Sequence, residues 1–129
     1  MSIEIQMRVW SMLRGIVHVV APSTLITRDR GVGWNASARD QPMPPPGPLA
    51  GRLQRAQSNF METFPFFAAA VLAVVLTQRQ DGMTALAVQL YFWARLIYLP
   101  LYAAGVPYVR SLVWLVSLLG IVMLLWALL

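Results

Sequence analysis

The sequence predicts an all-α membrane protein, an up-down bundle of four transmembrane helices, and three observations carry that prediction. Hydrophobic residues make up 58 % of the 129-residue chain and charged residues only 12 %, against about 45–50 % and about 25 % in a soluble domain. The mean hydropathy is +0.61. Four stretches, 3–26, 53–77, 83–104 and 108–129, approach the roughly 20 mainly apolar residues that a spanning helix requires. A soluble globular domain and a disordered chain are both excluded, leaving a single membrane domain over 1–129.

The first span, 3–26, is the least apolar and contains Arg8, Arg14 and His18. Glu4 and Arg14 interrupt the long apolar run that a signal peptide needs. Burial in a bundle can hide a polar face, so a true span is expected rather than a helix lying in the interface. His18 shares a face with Arg14, four residues away, and reads as a packed or interfacial side chain. It is the one histidine, which rules out a multi-histidine metal site.

The connector 27–51 holds Pro42, Pro44, Pro45, Pro46 and Pro48, a density that predicts a stiff, extended, non-helical link. The span 53–77 is polar in its first third. The span 83–104 is interrupted by Gln89 and Arg95, and 108–129 is apolar almost throughout. Pro65 and Pro100 are expected to bend the second and third helices. Ala68, Ala69, Ala70 and Ala73 permit close helix approach. The links near 78–82 and 105–107 are short, and short links join antiparallel neighbours.

The net charge of +5 would point to nucleic acid in a soluble chain, but the arginines are scattered among apolar stretches and form no basic run. No nucleic-acid partner is expected. With no cysteine, disulfides, thiolate metal sites and cysteine nucleophiles are excluded. Arg28, Arg30, Arg39, Arg52, Arg55 and Arg110 lie on one side, against Arg8 and Arg79 on the other. The positive-inside rule therefore places the connector in the cytoplasm and both termini on the opposite side. Short loops and the lack of an organelle signal suit a bacterial inner membrane.

The polar residues inside the spans are periodic. Arg52, Arg55, Asn59 and Glu62 are spaced 3, 4 and 3, which stacks them on one helical face. Tyr91, Arg95, Tyr98 and Tyr102, spaced 4, 3 and 4, do the same, and Arg110 and Ser111 open the last span. By spacing alone, a self-satisfied network in which Glu62 pairs with Arg55 accounts for the pattern as well as a ligand site does. Composition favours the ligand site: several arginines face one glutamate, and surplus buried cation calls for an anionic guest. Asn59 adds amide donors and an acceptor, and Glu62 can receive an ammonium group. A small zwitterion with extra carboxylates, such as a γ-glutamyl tripeptide, fits that description.

The segment from Gly51 to Phe67, which reads Arg-x-x-Arg-Ala-x-x-Asn-x-x-Glu into Phe-Pro-Phe-Phe, resembles the signature of the MAPEG family, the membrane-associated proteins in eicosanoid and glutathione metabolism. The stretch from Ala94 to Tyr102, followed by Gly105, Arg110 and Ser111, resembles that family's second conserved block, so the likeness runs from about Arg52 to the C-terminus. The resemblance implies a homotrimer with glutathione as cosubstrate, bound between protomers near the cytoplasmic face. Arg55, Asn59 and Glu62 would hold the peptide, Tyr98 and Tyr102 would line its site, and Gln57 would reach the neighbour's ligand. Arg52 and Arg95 match positions whose role varies between members. Arg110, with Ser111 beside it, would stabilise the thiolate as the catalytic pair. The chain departs from the family in its longer, proline-rich connector and in lacking the third-helix histidine of some prostaglandin-forming members. Arg28 and Arg30 are candidates for the arginine pair that many members carry at the end of the first helix.

The function so implied is glutathione S-transferase or glutathione peroxidase activity toward lipophilic electrophiles or hydroperoxides, the lipophile arriving from membrane lipid. The alternative is a non-catalytic protein that binds lipid or presents it to a partner enzyme. A small four-helix drug exporter fits poorly, because those depend on a buried glutamate in the first span. Here Glu4 sits at the extreme terminus and Glu62 among arginines.

Overall fold

A computed structural model describes residues 1–129. Its helices are α1 (Ile3–Arg30), α2 (Val32–Ala36), α3 (Pro48–Leu76), α4 (Gly82–Ala103) and α5 (Val109–Leu128), with no strand. Apart from the short α2, each is long and apolar enough to cross a membrane. Local chemistry explains their starts. The Ser2 side chain accepts the Ile5 amide at α1. Pro48 occupies the first turn of α3, where its missing N–H is no loss. Asp81 and Thr84 form a reciprocal capping box at α4. At the other end of α5, Arg79 donates from Nη1 to the carbonyls of Ala127 and Leu128 at 3.3 and 3.1 Å, a cation on the electronegative end of the helix.

The connector differs from expectation. Helix α1 continues to Arg30, α2 follows at once, and α3 begins at Pro48, so the non-helical stretch is confined to 37–47. The connector's prolines all fall from Pro42 onward, so no proline opposes helix in the first part of the segment, where only Gly31, at φ +92°, interrupts it. What remains is tied down by arginine. Arg30 donates from Nη2 to the Pro44 carbonyl at 2.8 Å. The Arg30 and Arg39 guanidiniums lie 4.6 and 5.1 Å from the Trp34 ring centroid. Pro65 and Pro100, and also Pro22 in α1, lie inside continuous helices.

Helices α4 and α5 pair most extensively; α1 packs on α3 and α4, and α3 also meets α4 and α5. Helices α1 and α5 therefore sit diagonally across the bundle. The apolar core joins Phe67, Val71 and Val74 of α3 to Val88, Tyr91 and Phe92 of α4 and to Ile121 and Leu124 of α5. Phe67 stacks on Tyr91 with centroids 4.0 Å apart. Of Ala68, Ala69, Ala70 and Ala73, Ala70 is the buried one. Gly120 provides the closest helix approach: a Cβ there would lie 2.6 Å from the Ala87 carbonyl oxygen.

Helix α1 is apolar outward and polar inward. On α1, Trp10, Leu13, Ile16, Val17 and Val20 are exposed while Ser11, Arg14 and His18 are buried. Trp93 and Trp126 also face outward. In water this arrangement would be inside-out. In a bilayer it meets the rule that charged groups turn to the bundle interior.

Candidate functional site

Helices α3 and α5 begin, and α4 ends, at the end of the bundle that carries the connector. The arginine-bearing face of α3 therefore meets the tyrosine face of α4 and the first turn of α5. Arg52 donates from Nη1 to the Ala103 carbonyl at 3.3 Å, on the C-terminus of α4. Its guanidinium fills the space over Gly105, where a Cβ would stand 2.9 Å from Arg52 Cζ, and Gly105 has φ +74°. Only glycine meets both demands without strain.

Arg55 donates from Nε to the Tyr102 hydroxyl at 3.3 Å, and the Arg110 guanidinium lies 4.9 Å from the Tyr102 ring centroid. Tyr102 is thus held by two cations from different helices. The Tyr98 ring follows at 5.5 Å from Tyr102. Arg95 stacks 4.4 Å over Tyr98 and donates from Nη1 to Asn59 Oδ1 at 2.7 Å. Arg52, Arg55, Asn59, Arg95, Tyr98, Tyr102 and Arg110 are so brought together, and no carboxylate lies among them.

The remaining predicted residues stand apart. Glu62 is exposed; the alternative Glu62–Arg55 pairing does not form, and Arg55 is directed to Tyr102 instead. Ser111, in the first turn of α5, is exposed. Gln57, with Arg55, lines a cavity of about 640 Å³ between α3 and Pro45 and Pro46 of the connector, a size common for small-molecule sites. Of the first-helix arginines, Arg30 is committed to Pro44 and Trp34, and Arg28 is exposed.

Sequence reasoning underrated α1. His18 stacks on Phe60 at 4.7 Å, and Arg14 lies over Phe60 and Phe92 at 5.1 and 5.8 Å. Arg95 reaches the same Phe60 ring at 5.9 Å. Arg14, His18 and Arg95 are 6, 2 and 0 % exposed. Leaving a buried charge unpaired costs about 3–5 kcal/mol, whereas a desolvated cation–π contact contributes about 2 kcal/mol, so the rings offset only part. The signal available beforehand was the spacing of 3, 4, 3 and 4 through Glu4, Met7, Ser11, Arg14 and His18, one stripe along the helix.

A bundle of membrane-length helices with Glu4, Arg14 and Arg95 turned inward defines a polytopic α-helical membrane protein. The MAPEG family model matches residues 7–129, and the chain belongs to that family, whose members bind glutathione or act in eicosanoid and glutathione metabolism. The match takes in α1 as well as the motifs of α3 and α4. Comparison with curated proteins finds no match.

Proposed function

We propose that this protein binds glutathione at the connector end of the bundle and acts as a glutathione transferase or peroxidase toward lipophilic electrophiles or hydroperoxides. One observation carries the reading. Arg55, Arg95 and Arg110 converge on Tyr98, Tyr102 and Asn59, with Arg52 on the adjoining Ala103 carbonyl, while Glu62, the carboxylate on the same face of α3, is left exposed. The arginines suit the two carboxylates of the tripeptide, which guanidinium binds as a fork. Glu62 suits its ammonium, and Asn59 its amide groups.

Arg55 and Glu62 are exposed in the single chain, which supports a site completed by neighbouring copies in a homotrimer, with Gln57 reaching the adjoining ligand. Arg110 is the residue we assign to the thiolate, with Ser111 as a hydrogen-bond donor to the same sulfur. An apolar groove of about 440 Å³ between α4 and α5, lined by Trp93, Ile97 and Val113 among others, suits the lipophilic cosubstrate, since Val113 lies one turn from Arg110. We place the connector in the cytoplasm and both termini across a bacterial inner membrane, on the arginine distribution.

The test is turnover of glutathione with an aryl halide or an organic hydroperoxide in detergent micelles. Arg110→Ala should lower turnover by about 10²-fold or more, as removal of a preorganised anion-stabilising group does, with a much smaller loss of glutathione affinity. Equal losses in turnover and affinity would reject the role given to Arg110. Glutathione binding without any turnover would favour the lipid-presenting alternative, for which the α4–α5 groove is the binding surface.

A further inference from the structure

The interior cluster built on Phe60 is left over by this account except for Arg95, which the two share. Arg14 Nε, Nη1 and Nη2, Arg95 Nε and Nη2, both ring nitrogens of His18 and Ser11 Oγ are all buried with no hydrogen-bond partner in the protein. They come from two helices, with Ser11, Arg14 and His18 on one face of α1 and Arg95 on α4. The nearby polar groups do not serve them: Thr63 and Tyr91 bond each other at 3.1 Å, and Asn59 takes a single N–H of Arg95.

The missing counter-charge is not supplied by the chain. Of its five acidic side chains, Asp29, Asp40, Glu62 and Asp81 are exposed. Glu4 is buried but accepts a hydrogen bond from Thr84 Oγ1 at 2.8 Å, about 15 Å along α1 from Arg14 at ~1.5 Å per residue. Two guanidiniums with permanent charge thus share a low-dielectric site with unpaired donors and no anion. Water would satisfy donors but leave the charge uncompensated.

We propose that Arg14, Arg95, His18 and Ser11 form a buried binding site for a small monovalent inorganic anion of the halide class, which ties α1 to α4. A halide accepts hydrogen bonds from any direction, which suits donors arriving from two helices around an aromatic ring. It also needs the least space of the common anions, which suits a site walled by Phe60 and Phe92. The proposal does not rest on glutathione, and Arg14 and His18 have no part in the site described above.

The test is thermal unfolding of the detergent-purified protein, followed by tryptophan fluorescence, as sodium chloride replaces sodium gluconate at constant ionic strength. The wild type should melt at a temperature that rises with chloride along a saturating curve, and bromide should substitute for chloride. Arg14→Met and His18→Phe should flatten that curve while glutathione titrations stay unchanged. Identical melting in chloride and gluconate, or an undiminished chloride response in Arg14→Met, would overturn the proposal. If the Arg14 variant does not fold, crystals of the wild type grown in bromide decide. An anomalous peak between the Arg14 and Arg95 guanidiniums supports the site, and its absence there rejects it.

Discussion

Replacing Gly120 with alanine tests the α4–α5 seam on which the site depends, since α4 carries Arg95, Tyr98 and Tyr102 and α5 carries Arg110. The added Cβ would lie 2.6 Å from the Ala87 carbonyl oxygen, 3.1 Å from the Tyr91 amide nitrogen and 3.4 Å from Tyr91 Cβ. The first two of these atoms are backbone, so no rotamer change relieves the clash and the helices must separate. Overpacking of this kind costs about 1–3 kcal/mol, and contact with rigid backbone places Gly120→Ala in the upper half of that range. Gly33→Ala is the control, because nothing lies within 4 Å of a Cβ there. Melting followed through the five tryptophans should show Gly120→Ala several degrees below both wild type and Gly33→Ala. Coincident melting of all three proteins would refute the close approach and the seam drawn from it.

Two further substitutions probe the polar contacts. Asn59→Leu removes the acceptor of the fully buried Arg95 and should cost about 1.5–3 kcal/mol, the range for a hydrogen bond to a charged group, read as a lowered melting temperature. Thr84→Val deletes both the return bond of the α4 capping box and the donor to Glu4. It should destabilise by at least about 1–2 kcal/mol; a wild-type melting curve would show that the α1–α4 tie at that end is idle.

The four membrane helices were legible because their apolar runs are long and their turns short. The arginine and tyrosine faces of α3 and α4 were legible because 3- and 4-residue spacing survives in any helix. Side-chain direction was not. Spacing groups Glu62 with Arg55, yet Arg55 bonds Tyr102 on another helix, a choice set by packing between elements. The depth of Arg14 and His18 was hidden for a similar reason. A polar stripe on an otherwise apolar helix reads the same whether it faces an interior or an interface, and only the position of α1 against Phe60 and Phe92 decides. The connector misled because its proline count was spread over the whole segment, while the residues that form α2 contain none.

The account stands most directly on isothermal titration of the detergent-purified protein with glutathione, beside Arg55→Ala and Glu62→Ala. We expect saturable binding by the wild type and its loss in both variants, since one removes a carboxylate partner and the other the partner of the ammonium. No heat of binding at millimolar glutathione, or unchanged binding in both variants, would contradict the assignment of this site.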